Sequence, residues 1–98
     1  MTLLITAKDV QSVLTYPLSL KTVEAAFKAF GQGKAYQPPK SYLTFKYGDL
    51  RSMPAYINPP GMNIAGIKSV TVHPDNHKKF SLPTVYGYYS FNRPKDWI

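Results

Sequence analysis

The sequence lacks cysteine altogether and has few acidic residues, five in a chain of 98. The absence of cysteine excludes disulfides and thiolate chemistry. It also leaves His73 and His77 as the only nitrogen ligands for a soft metal, and Pro74 between them interrupts the helix that an H-x-x-x-H zinc pair requires. We therefore expect no metal site.

Long apolar runs are also absent, since no segment approaches the ~20 residues that a membrane span needs. The N-terminus has neither the basic region nor the A-x-A site of a signal peptide. The sequence therefore predicts a cytoplasmic protein without a membrane partner. A domain of this size buries about 60–65% of its unfolded surface, so a partner subunit or further chain would add needed stability.

Positive charge is abundant, because twelve lysines and arginines give a net charge of +7. That charge favours anionic partners, which are nucleic acid, a membrane surface, or small carboxylates and phosphates. The basic residues form no K/R run and no RNP-type motif, and the eight tyrosines also suit ordinary strands. We therefore expect no nucleic-acid partner. A small basic nucleic-acid binder is kept as an alternative hypothesis.

Two helices are predicted near the N-terminus, after a short strand over Thr2–Thr6. A capping-box-like start at Thr6 predicts a first helix to about Leu14. Ser19 is the expected N-cap of a second helix over residues 20–30, which Gly31 and Gly33 end. Four apolar residues fall on one stripe of that second helix: Leu20, Val23, Phe27 and Phe30.

Gly48-Asp49 lies between two runs with period-two patterning, which predicts a tight hairpin turn at these two residues. Residue 46 then faces residue 51. Straight strands in that register hold Lys40 and Arg51 about 20 Å apart, so the two meet only if the sheet bends at Pro54. One face of the hairpin carries three cations and no acid: Lys40, Tyr42, Thr44 and Lys46 with Arg51, Met53, Ala55 and Ile57.

Lys68 occupies an unusual position in the alternating run Asn63 to Val72, because it falls on the more apolar face with Val70 and Val72. Lysine is rarely found on such a face without a partner or a task. In one interpretation, Lys40, Arg51 and Lys68 converge on a carboxylate, with Lys68 near a carbonyl carbon. In the other, all three are solvated and Lys68 snorkels to water.

The remaining segments are a polar loop over residues 73–79, a last strand over residues 82–91 and a polar tail over residues 93–98 that contains Trp97. Met53-Pro54 predicts that its strand is an edge there or bends, since proline cannot donate to a central ladder. The order of elements predicts an α+β fold in which two N-terminal helices pack on a mixed, mostly antiparallel sheet.

Several strings in a fixed order carry a family resemblance: VEAAFKAFGQGKAYQPPKSYLTFKYGDLRSMPAY, AGIKSV, HPDN and LPTV. Together they resemble the N-terminal part of the ornithine cyclodeaminase/mu-crystallin family, up to about Ser90. The version P-P-K…G-D-L-R-x-M-P-A is most similar to the archaeal alanine dehydrogenases of that family.

The resemblance implies that residues 1–91 form a substrate-binding and dimerisation domain and that residues 92–98 are a divergent tail. It implies a homodimer and a second, Rossmann domain for NAD or NADP, a domain that this chain does not contain. We therefore expect no cofactor in this chain alone.

Five site residues follow from the same resemblance. Lys68 matches the family's catalytic lysine, beside the reacting imine or carbonyl carbon. Arg51 stands where ornithine cyclodeaminases carry an acid that meets the distal amine, so the resemblance favours a small 2-amino or 2-oxo acid, such as alanine or pyruvate. Three further residues are expected to bind substrate: Lys40 at the carboxylate, Met53 at the pocket wall, and Thr84 of L-P-T.

The sequence also departs from the family pattern. Ser81 stands where glycine often precedes L-P-T, and D-x-x-T-G-x-P-L-A and G-x-G-x-x-G do not follow Ser90. Hydride transfer needs a dinucleotide site, so we expect this chain alone to be inactive, as a truncated product, isolated domain or fragment. The competing expectation is a non-enzymatic dimeric binding module.

Overall fold

The computed structural model describes residues 3–92, so Thr2 and the predicted tail over residues 93–98 lie outside the described residues. An α+β fold is confirmed. Helices and strands follow one another in this order: α1 (Ala7–Val13), α2 (Tyr16–Gly31), β1 (Ala35–Tyr36), β2 (Ser41–Phe45), β3 (Gly48–Ile57), β4 (Ile64–Val72), α3 (Asn76–Phe80) and β5 (Val85–Asn92).

Helix α1 begins at a complete capping box, as predicted. The Thr6 backbone N–H donates to Asp9 Oδ2 at 2.9 Å, and the Asp9 N–H donates to Thr6 Oγ1 at 3.2 Å. The backbone bond from Thr6, followed by the one from its hydroxyl, lowers the pKa of Asp9 below its ordinary value. The strand predicted before α1 is wrong for residues 3–6, because they form no strand and pair with no described strand.

Helix α2 begins earlier than predicted, at Tyr16 rather than Leu20. Thr15 caps it by accepting the Leu18 N–H at 3.2 Å, and Pro17 sits in the first turn. Proline lacks a backbone N–H, but an N–H in the first turn of a helix has no helical partner, so proline is tolerated there. Pro17 therefore marks the start of a helix, and the N-cap is Thr15 rather than the predicted Ser19. The predicted end at Gly31 is confirmed.

Only α2 packs against the sheet within residues 3–92, where it contacts β1 and β3. Ala29 is its buried residue, with 2% of its surface exposed. The expectation that both N-terminal helices pack on the sheet is therefore wrong for α1. The described part of the chain has no helix with the length and apolarity needed to cross a membrane.

The sheet runs in the order β1-β3-β4-β5, and β2 also pairs with β3. Every pairing among the described strands is antiparallel, so the expected mixed character is absent from this part of the chain. Strand β2 pairs with residues 48–52 of β3, whereas β1 pairs with residues 56 and 57. Pro54 lies in the gap between them, which confirms the prediction of an edge there.

The β2–β3 turn lies at Lys46-Tyr47, because Phe45 pairs with Gly48. The predicted turn at Gly48-Asp49 is therefore wrong. Gly48 serves a different purpose: a Cβ atom there would collide with the backbone carbonyl oxygen of Val72 in β4. The observed pairing of Arg51 with residue 42 differs from the predicted pairing with residue 46 by four residues. An even shift leaves the same residues on each face.

Residues 76–80 form helix α3 where a loop was predicted. Ser81 ends this helix in the left-handed conformation, with φ 53° and ψ 35°. L-residues other than asparagine and aspartate rarely adopt this conformation, because Cβ crowds the following carbonyl oxygen. Helix C-termini commonly use glycine at such a position.

We expect Ser81→Gly to raise the free energy of unfolding by about 1 kcal/mol, because glycine removes the left-handed penalty. Urea denaturation of the two chains measures the difference. Ser81→Ala is the matched control, since it keeps Cβ and should bring no gain. An equal gain from alanine would contradict the conformational explanation.

Candidate functional site

One face of the sheet carries Arg51 and Lys68, and we call it the cationic face. The strand register confirms the predicted alternation along β4, with Lys68 on the same side as Val70 and Val72. The face is formed by these residues: Tyr42 and Thr44 of β2; Asp49, Arg51, Met53, Ala55 and Ile57 of β3; Ile64, Gly66, Lys68, Val70 and Val72 of β4; Val85, Gly87, Tyr89 and Phe91 of β5.

Lys68 lies in the middle of a row that crosses the cationic face. It pairs with Met53 on one side and with Tyr89 on the other. Lys40 immediately precedes β2, whose first residue, Ser41, pairs with Ser52. Lys68 and Met53 are half-buried, and Lys40 is exposed.

Arg51 lies in the next row, opposite Tyr42, and is held by a carboxylate on the same face. Its Nε donates to Asp49 Oδ1 at 2.8 Å and its Nη2 donates to Asp49 Oδ2 at 3.4 Å. The hydrogen bond to Asp49 is the main cause that raises the pKa of Arg51 above its ordinary value, so Arg51 stays cationic. The expectation that this face has no acid is wrong, because Asp49 belongs to β3 and not to the turn.

Tyr42 brings Lys40 and Arg51 together. The Lys40 Nζ lies 5.8 Å from the centroid of the Tyr42 ring, and the Arg51 Cζ lies 5.1 Å from the same centroid. Both distances fall within the ~6 Å range of a cation–π interaction, and the two cationic centres are therefore at most about 11 Å apart. The expected separation of about 20 Å is wrong, because it followed from the wrong turn.

The β5 side of the row is aromatic. The Tyr89 and Phe91 rings stack with centroids 6.2 Å apart and an interplanar angle of 5°. A Cβ atom on Gly66 would lie 2.9 Å from the Phe91 ring, so this glycine lets the ring lie over the strand. Tyr89 therefore forms an aromatic wall beside Lys68.

Thr84 lies apart from the other predicted site residues. It immediately precedes β5, where its backbone carbonyl oxygen accepts the His73 N–H at 2.7 Å. Five residues separate it from Tyr89, about 17 Å along an extended strand. Its contact with substrate stays a prediction that this geometry does not support.

The sequence reasoning missed three features of the cationic face: the pairing of Tyr42 with Arg51, the presence of Asp49 and the presence of Tyr89. A turn at Lys46-Tyr47 would have identified the first two, because that register puts Tyr42 opposite Arg51 and moves Asp49 into the strand. Tyr89 depends on how β5 pairs with β4, and no local pattern specifies that pairing.

The cationic face combines cations suited to a carboxylate, an amine suited to proton transfer, and an aromatic wall. The sheet is antiparallel throughout the described strands, in contrast to the parallel sheets that bind dinucleotides. Residues 1–96 match the sequence model of the Ornithine cyclodeaminase/mu-crystallin family. The chain belongs to this family, which confirms the resemblance.

Two relatives make the comparison specific. The alanine dehydrogenase of Archaeoglobus fulgidus is 43% identical over 94 residues, which are 96% of this chain and 28% of that protein. A solved structure of an archaeal alanine dehydrogenase dimer with bound NAD superposes with a TM-score of 0.81 at 42% identity, over 93% of this chain and 27% of that chain.

A third similar protein acts on a different substrate. It is the Δ1-pyrroline-2-carboxylate reductase of Thermococcus litoralis, solved with NADH and L-proline, with a TM-score of 0.78 at 28% identity. The match covers 90% of this chain and 27% of that one. The chain thus spans little more than a quarter of the length of the relatives it matches.

Proposed function

We propose that this chain is the substrate-binding portion of an alanine-dehydrogenase-like oxidoreductase that uses NAD or NADP and acts on a small 2-amino or 2-oxo acid. One observation carries the proposal: Lys68 lies opposite Met53 on the face that also holds Arg51, and the Lys40 Nζ lies 5.8 Å from the centroid of the Tyr42 ring, whose residue pairs with Arg51. The bound NAD, NADH and L-proline of the similar structures support the same class of chemistry.

Each side chain has a role that its chemistry suits. Lys40 and Arg51 bind the substrate carboxylate, since lysine and arginine side chains both donate charge-assisted hydrogen bonds to carboxylates. The positive charge of Arg51 repels a distal ammonium group, which disfavours ornithine. Met53 lines the pocket, and the Lys68 amine exchanges a proton beside the reacting carbon.

A bound dinucleotide would supply the hydride of this reaction. The sequence has no G-x-G-x-x-G loop to cradle its pyrophosphate. The residues of this chain therefore do not fit a dinucleotide site, and we assign none of them to the cofactor.

We also propose that the chain works in a homodimer. The apolar stripe predicted on α2 is exposed here: Leu20 shows 72% of its surface and Phe27 shows 74%. Apolar area of this kind favours association, and one similar structure is a dimer. A non-enzymatic dimeric module would share this surface, so ligand binding has to separate the two functions.

Titration with oxamate, a stable analogue of pyruvate, tests the proposed site by NMR. We expect binding that perturbs the side-chain signals of Lys68 and Arg51. Lys40→Met and Arg51→Met should each weaken it about five- to tenfold, because each removes one charge-assisted contact.

Lys8→Met is the matched control for overall charge. It removes one cation from α1, which contacts no described strand, and should leave oxamate affinity unchanged. An intact fold that binds no oxamate would refute the pocket and favour the non-enzymatic module. Equal losses in all three variants would mean that net charge alone attracts the anion.

A further inference from the structure

Tyr42 is the one residue of β2 that touches both cations assigned to the carboxylate. Its ring lies 5.1 Å from the Arg51 Cζ and 5.8 Å from the Lys40 Nζ, both measured to the ring centroid. Its partner across the strands is Arg51 itself. Tyr42 is 53% exposed, so burial in a core does not explain its position.

We propose that Tyr42 is a positioning residue whose ring holds the Lys40 ammonium and the Arg51 guanidinium in place, so that the two cations form a site for a small carboxylate before substrate arrives. This inference rests on the proposed function. It adds a residue that the chemistry of carboxylate binding alone would not reveal, since a tyrosine ring has no charge to offer the substrate.

Positioning is needed because two neighbouring cations repel each other and both have long, flexible side chains. A lysine and an arginine on an open face lose much rotamer entropy when a ligand orders them. The negative face of an aromatic ring attracts both cations at once. Ordering by Tyr42 therefore lowers the entropic cost of binding and offsets the repulsion.

Asp49 completes the arrangement from the other side of Arg51. Its two carboxylate oxygens accept from Nε and Nη2, while Tyr42 contacts the guanidinium carbon region. Among the described residues, no hydrogen-bond acceptor takes up Nη1. Arg51 is thus held on two sides with one nitrogen left to meet a carboxylate.

A comparison of Tyr42→Phe with Tyr42→Leu tests the inference. Phenylalanine keeps the ring, so we expect wild-type oxamate affinity and unchanged upfield ring-current shifts of the Arg51 Hδ and Lys40 Hε protons. Leucine should abolish those shifts and weaken oxamate binding about five- to tenfold. Tyr42→Ile repeats the test with a residue of high strand propensity.

Tyr47→Leu is the matched control, because the Tyr47 ring lies beside Lys46 in the turn, with the Lys46 Nζ 5.2 Å from the ring centroid. It should leave oxamate affinity unchanged. The positioning role is overturned if Tyr42→Leu retains the shifts, if it loses them without losing affinity, or if phenylalanine weakens binding as much as leucine does.

The two proposals fail in different ways. Wild-type chain that binds no oxamate refutes the proposed function, and with it the carboxylate role of Tyr42. Oxamate binding that is unaffected by leucine at position 42 refutes only the inference, while the carboxylate site stands.

Discussion

Lys68→Met is expected to lower kcat/KM about 10²- to 10⁴-fold, the contribution typical of a proton-transferring side chain. The assay uses a chimera in which residues 1–92 replace the matching segment of the Archaeoglobus fulgidus alanine dehydrogenase. Methionine resembles lysine in length and removes only the amine. Lys68 is half-buried on β4 opposite Met53, so an apolar side chain there should not disturb the sheet.

The measurement is NADH oxidation with pyruvate and ammonia, together with the mass of the assembled protein. Lys46→Met in the same chimera is the control, because Lys46 lies in the β2–β3 turn and should leave activity unchanged. Unchanged dimer mass with lost turnover would support the catalytic role. Full turnover by the Lys68→Met variant would contradict the catalytic role of Lys68.

Gly48→Ala is expected to lower the free energy of unfolding by about 3 kcal/mol, a large effect for one methyl group. The added Cβ would collide with the Val72 carbonyl oxygen and lie 3.1 Å from His73 Nδ1. A backbone atom cannot rotate away, so β3 and β4 must separate. Asp49 is the adjacent residue and holds Arg51, so oxamate affinity should fall as well.

Urea denaturation measures this loss, and Gly31→Ala is the matched control. Gly31 ends α2, and a Cβ atom added there would meet no other part of the described chain within 4 Å. Alanine favours helix over glycine by up to about 1 kcal/mol, so this variant should be as stable as the parent or more so. Wild-type stability in Gly48→Ala would contradict the close approach of β4.

Local signals predicted much of the fold because they act between residues close in sequence. The capping box at Thr6 predicted the start of α1, and the missing N–H of Pro54 predicted a gap beside β3. The alternation along β4 put Lys68 on its observed face. Each of these signals depends on one backbone group or one side-chain period.

The errors share a different cause. Gly48-Asp49 has the composition of a hairpin turn. The glycine is needed for another reason, because a side chain at position 48 would collide with Val72 of β4. Val72 is more than 20 residues away in sequence. Asn76 to Phe80 forms a helix despite its polar composition. Local composition could not distinguish a turn glycine from one that admits a neighbouring strand.

By itself, the sequence determined the start of α1, the end of α2, the alternation along β4 and the family, since capping chemistry, periodicity and motif order are all written along the chain. Only the tertiary structure decided the hairpin register, and with it the approach of Lys40 and Arg51 to the Tyr42 ring and of Asp49 to Arg51. The reason is physical: register depends on how closely β4 packs against Gly48, and that contact forms only when distant segments meet.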